Sequence, residues 1–118
     1  MAQDGDMFIV ETIDTKTLNE QLSKKQKDDL FIDVRSKEEF EEEHIEGFQN
    51  IPLEDLEKHL KKLKGKTLFF SCEGGGRAQK AAEKVHELDN SIKIFLCKDS
   101  LHGWKASGLD TIQEAGKT

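Results

Sequence analysis

Proline occurs once in this chain of 118 residues, at Pro52, and no Pro/Ser-rich linker or internal repeat interrupts it. Nothing in the sequence therefore marks a boundary between two domains. Cysteine is nearly as scarce: Cys72 and Cys97 are too few for a disulfide framework, and neither has metal-type spacing with the four histidines. No metal site is expected. Apolar runs are short, none near the roughly 18 residues that cross a bilayer. The first residues, Met1-Ala2-Gln3-Asp4-Gly5-Asp6, are acidic where a secretory signal would be basic. A cytoplasmic chain with no membrane partner is expected. Positive charge is also in deficit, with 24 acidic against 18 basic residues and a formal charge of −6. Such a surface repels anions, which excludes nucleic acid as the main partner.

What remains is enough for one modest core. Charged residues make up 36% and hydrophobic residues 35%, but the apolar ones come in clusters, as in a folded domain with a heavily charged surface. Leu30 to Val34, Thr67 to Ser71 and Ile92 to Leu96 have the length and residue types of strands. A further strand is expected within Phe8 to Ile13, and a short one at Gln49-Asn50-Ile51. Between them the apolar period becomes helical: Leu53, Leu56, Leu60 and Leu63 form one stripe, and Ala78, Ala81, Ala82, Val85 and Leu88 another. Asp14 or Thr15 can cap a first helix containing Leu18 and Leu22, and Ser36 can cap Lys37 to Glu42. Strands alternating with helices predict an α/β domain with a mainly parallel sheet.

In such sheets, ligands sit beyond the carboxyl ends of the strands, where loops enter helix N-termini. That rule selects Ser71 to Arg77. Here Cys72 directly follows a strand, and Gly74-Gly75-Gly76 directly precedes a helix. Glycine at this density lets successive N–H groups curl inward into a concave anion site reinforced by the helix's positive end. A thiol placed there, with Arg77 as a nearby cation, is expected to ionise more readily than a free cysteine and act as a nucleophile.

These residues, with others in the same order, resemble the rhodanese family over about residues 13 to 109. Phe31-Ile32-Asp33-Val34-Arg35, then Glu39-Phe40 and His44-Ile45-Glu46-Gly47, look like its N-terminal signature, leading into Asn50-Ile51-Pro52-Leu53. Cys72 to Arg77 matches its active-site loop, and Trp104 with Gly108-Leu109 its closing helix. The resemblance implies a rhodanese-like domain at 13–110, a mainly parallel five-stranded sheet with helices on both faces. It leaves 1–12 as a partly ordered extension and 111–118 as a tail. It further implies a sulfurtransferase in which Cys72 takes a sulfane sulfur from thiosulfate, a persulfide or a polysulfide. Cys72 holds it as a persulfide and passes it to a thiol, a cyanide-like acceptor or a protein acceptor. The N–H groups of Glu73, Gly74, Gly75, Gly76 and Arg77 would stabilise the persulfide. A sulfur-carrier module serving one protein partner shares this chemistry. Members related to phosphatases have a loop one residue longer, which argues against a phosphatase or arsenate reductase.

Some residues depart from the family pattern. The position after the cysteine is often basic in members that prefer thiosulfate, and here it is Glu73; Ala78 replaces a frequent serine, and Asp99-Ser100 a frequent Gly-Gly pair. Asp33 and Arg35 either brace the active loop or form a surface ion pair. Cys97 follows a strand that the family places beside that of Cys72; it either resolves a persulfide, forms a regulatory disulfide, or fills space as a half-buried thiol. His44, His59, His86 and His102 are read as non-catalytic. The acidic run Glu38 to Glu43 reads as a solvated helix face or as a docking surface for a basic partner, and Trp104 as core.

Overall fold

The structure, a computed structural model, describes residues 10–113. Five strands, β1 (Val10–Ile13), β2 (Asp29–Asp33), β3 (Gln49–Asn50), β4 (Thr67–Ser71) and β5 (Lys93–Cys97), form one sheet in the order β1-β5-β4-β2-β3. Every pairing is parallel. The helices are α1 (Thr15–Ser23), α2 (Lys37–Glu42), α3 (Leu60–Leu63), α4 (Gly76–Leu88) and α5 (Ser100–Ala106), with a 3₁₀ helix over Leu53–His59.

Side chains alternate across the strands, so each strand feeds two cores. On one face Ile32, Leu68, Phe70 and Ile94 pack under the 3₁₀ helix, α3 and α4 with Leu56, Leu63, Ala81 and Val85. On the other, Phe31, Phe69 and Phe95 lie in register and stack ring on ring, at 4.3 and 4.9 Å between centroids. Leu18 of α1 and Leu101 and Trp104 of α5 cover them. The domain is thus α/β with helices on both faces, as expected.

Local signals explain the element ends. Asp14 caps α1 by accepting from Thr17 N–H, and Ser36 and Glu39 form a reciprocal capping box on α2. Two strands sit one residue from their expected bounds, at 29–33 and 93–97. Phe8 and Ile9 of the expected first strand lie outside the described residues. The single helix expected over Leu53 to Leu63 is instead a 3₁₀ segment followed by one α turn. An i,i+3 apolar spacing suits both helix types, so periodicity does not separate them. Of the segments assigned to extension and tail, 10–12 enter β1 and Ile112 bridges His44.

Candidate functional site

β4 is flanked on both sides, and its last residue is followed at once by Cys72, which is 1% exposed. The chain then curls through the glycines into α4, the longest helix at 13 residues. Gly75 is the N-cap residue of α4 at φ 111°, a left-handed conformation that an L side chain rarely adopts. This curl brings two backbone donors onto the Cys72 sulfur: Gly75 N–H at 3.0 Å and Ala78 N–H at 3.3 Å. Both belong to the first turn of α4 or its cap, where N–H groups lack helical partners and the helix end is positive.

The opposite surface of the loop is held by α5. Leu101 N–H donates to the carbonyl of Cys72 at 3.1 Å, and His102 N–H to that of Glu73 at 3.0 Å. Ser100 Oγ accepts from Cys72 N–H at 3.0 Å and itself donates to the Cys97 carbonyl at 2.9 Å. The carbonyls of Cys72 and Glu73 are therefore tied to α5 while the N–H groups of Gly75 and Ala78 face the sulfur. The result is a preorganised site for negative charge on or just beyond Sγ.

The side chains expected at the site divide into three groups. Arg77 is present, but its guanidinium grips Glu39 of α2 at 2.7 and 3.1 Å. That hydrogen bond is the main cause holding Arg77 above its ordinary range, with Cys72 a lesser one, and it draws the Glu39 carboxyl down to about 2. Arg77 is thus first a brace between loop and α2, and the donors at the sulfur are backbone groups. The donors to Sγ itself are Gly75 and Ala78. Glu73 stands half exposed at the rim, where His102 Nε2 lies 3.4 Å from its carboxylate.

Asp33 and Arg35 form a buried ion pair at 3.0 Å, 5% and 4% exposed at their side chains, rather than a surface one. Arg35 also donates to the carbonyl of Glu43, and the Asn50 amide donates to the carbonyls of Asp33 and Arg35. Their hydrogen bonds thus fasten β2 to β3 and to the end of α2, and reach no atom of 72–77 among the described residues. Glu43 in turn accepts from Lys105 of α5 and from Thr111.

Cys97 ends a neighbouring strand, yet it belongs to the core on the opposite face from Cys72. Burial, then the neighbouring Cys72 and Asp33, push its thiol far above the ordinary range. Both cysteines are free thiols. Cys97 is packed among apolar side chains of that core. Trp104 is core, its indole N–H donating to the Asp110 carbonyl. Among the described residues, no group of three or more His, Cys, Asp or Glu is placed to hold a metal ion, and no helix is long and apolar enough to cross a membrane.

Two hollows flank the loop. One, of about 340 Å³, is lined by Arg35, Glu39, Glu43, Glu73, His102 and Lys105. The other, about 310 Å³, opens beside Gly74, Gly75, Gly76 and Asp99. A third of about 380 Å³ lies between β1 and α4, lined by Val10, Thr12, Gln79, Ala82, Glu83, His86 and Leu96, and contains no cysteine.

A parallel sheet whose strand β4 delivers a cysteine into a glycine loop capping a long helix defines the rhodanese class of α/β domain. The rhodanese-like domain model matches residues 14–107, and the chain belongs to that family. A probable molybdopterin-synthase adenylyltransferase of Porphyra purpurea is 30% identical over 100 residues, 82% of this chain and 26% of that protein. An uncharacterized protein of Synechocystis is 32% identical over 103 residues, 86% of this chain and 56% of its own length. The chain thus spans about a quarter to just over half of these relatives. Among solved structures, a rhodanese-related protein of Thermoplasma volcanium superposes with a TM-score of 0.75 at 24% identity, covering 88% of this chain and 99% of that one. A thiosulfate sulfurtransferase of Pseudomonas aeruginosa gives 0.75 at 23%, covering 90% and 20%. These likenesses establish the fold.

Three participants were not singled out from sequence. Glu39 carries a visible capping-box signal, but its grip on Arg77 spans 38 positions. The Ala78 N–H lies one residue past the loop. Ser100 reads from sequence as a departure from the family pattern, and the structure places it buried against the cysteine and bonded to its N–H.

Proposed function

We propose that this domain is a sulfurtransferase whose nucleophile is Cys72. The supporting observation is the pair of backbone donors, Gly75 and Ala78, aimed at its Sγ from the start of α4. In the first half-reaction the Cys72 thiolate attacks the outer sulfur of a sulfane donor. With thiosulfate, the new S–S bond forms as the donor's S–S bond breaks, and its electron pair leaves on sulfite. Cys72 then carries a persulfide whose terminal sulfur bears the negative charge. That sulfur lies farther out than Sγ, among the remaining N–H groups of the glycine loop, which stabilise it by preorganised dipoles. In the second half-reaction a thiolate, or cyanide, attacks the terminal sulfur. The Cys72–S bond breaks, its electrons return to Sγ, and the acceptor departs as a persulfide or thiocyanate. Electrons balance over the cycle with no redox cofactor.

The rim favours persulfide or polysulfide donors, or a protein acceptor, over dianionic thiosulfate, because Glu73 presents a carboxylate there. The six-residue span from Cys72 to Arg77 favours sulfur over the larger tetrahedral centre of a phosphoryl group. Thiol chemistry of this kind fits a reducing compartment such as the cytoplasm. The experiment is persulfide trapping and turnover in two variants. Cys72→Ala should eliminate sulfur transfer, whereas Cys97→Ser should retain most of it. Equal loss in both would make Cys97 part of the mechanism and refute this assignment.

A further inference from the structure

At the turn from β5 into α5, two consecutive non-glycine residues occupy the left-handed region: Asp99 at φ 59° and Ser100 at φ 47°. An L side chain is disfavoured there, while glycine adopts it freely. This chain thus keeps a serine where the backbone would prefer glycine. Ser100 is nevertheless 1% exposed and makes contacts that glycine cannot. Its Oγ accepts from Cys72 N–H, donates to the Cys97 carbonyl and lies 3.9 Å from Cys72 Sγ.

We propose that Ser100 is a third donor to the Cys72 sulfur, a switchable hydroxyl that turns from the Cys97 carbonyl to Sγ when the sulfur becomes negative. The geometry requires one torsion only: the Oγ stays where Cys72 N–H anchors it, and its hydrogen swings between two acceptors on either side. The proton lost by the thiol goes to solvent, so Ser100 neither gains nor loses one. The other groups facing this sulfur are already engaged. Gly75 and Ala78 N–H already donate to it, and Arg77, the cation nearby, is gripped by Glu39. An extra hydroxyl donor to a thiolate therefore falls on Ser100, and it compensates for the strain held at this turn. The inference rests on Cys72 being the nucleophile, but it concerns the reactivity of the thiol rather than the identity of its substrate.

Ser100→Ala removes the hydroxyl and leaves the strained backbone, whereas Ser100→Gly removes both. The measurement is the rate of Cys72 alkylation by iodoacetamide across pH, with the modified site assigned by peptide mass mapping. Both variants should react about tenfold more slowly than wild type at pH 7, the loss expected for one charge-assisted hydrogen bond. Both should regain the wild-type rate in alkaline solution, where the thiol ionises without help. Ser100→Gly should also melt no lower than Ser100→Ala, so that it remains informative if the alanine variant folds poorly. An unchanged rate at pH 7 in Ser100→Gly would overturn the proposal. So would a rate lowered equally at every pH, which indicates altered access instead of altered ionisation. Failure of wild type to load sulfur, with the Ser100→Gly effect intact, would refute the sulfur-transfer reading and support this one.

Discussion

Single residues decide how this site treats charge. Glu73 brings a carboxylate to the mouth, with only a half-exposed histidine beside it. At about 6 Å and an effective dielectric near 20, one pair of unit charges interacts by roughly 3 kcal/mol, which solvent at the rim reduces to about 1. Glu73→Gln should therefore raise kcat/KM for thiosulfate by roughly fivefold, and Glu73→Lys further, with both gains shrinking as salt is added. Steady-state kinetics at low and high ionic strength check this; unchanged or lower turnover in both variants would show that Glu73 does not filter anionic donors. Glu39 acts on stability instead. Its carboxyl sits near 2 against an ordinary 4.5, chiefly through Arg77. The stability this contributes is complete above about pH 4.5 and is lost as pH falls through about 2. The pair is about a third exposed, which limits it to about 1 kcal/mol after solvent screening. Glu39→Gln keeps the capping box and loses the charge, so urea midpoints should separate wild type from variant at pH 7 and converge near pH 2.

At the scale of elements, α5 is the member that aims the loop, and Gly103 allows it to do so. A Cβ at Gly103 would lie 2.7 Å from Thr15 Oγ1 and 2.8 Å from Asp99 Cβ. Gly103→Ala should force α5 away from α1, lower stability by about 1 to 3 kcal/mol and slow sulfur loading, since Ser100, Leu101 and His102 move with the helix. Thermal melts and loading rates read both effects; a variant as stable and fast as wild type would mean that α5 does not set the loop. The strands and the α4 stripe were legible in sequence because each carries a period, and Cys72 because it stands between a strand and three glycines. The roles of α5 and Glu39 were not, because contacts such as Leu101 to Cys72 and Arg77 to Glu39 join residues far apart in the chain. No local pattern records such pairs. The 3₁₀ segment was missed for the opposite reason: its leucines obey a spacing that two helix types share.

Over the whole molecule, the sheet separates the two thiols by chemistry as well as by position. The pleat sends Cys72 towards α4 and Cys97 towards α1 and α5, so one sulfur meets N–H donors and the other only apolar packing. The same parallel order gathers the loop, the end of α2 and the start of α5 at the carboxyl edge of the sheet, where Glu43 and Lys105 close the rim. This arrangement supports the proposal that Cys72 alone holds a single transferable sulfur. Intact-mass spectrometry of the reduced protein after incubation with thiosulfate, with a low-molecular-weight persulfide and with a polysulfide tests that claim most directly. The account predicts a gain of the mass of one sulfur atom, mapped to Cys72, absent in Cys72→Ala and removed by excess thiol. A protein that gains no sulfur from any of the three donors, or gains it on Cys97, would contradict it.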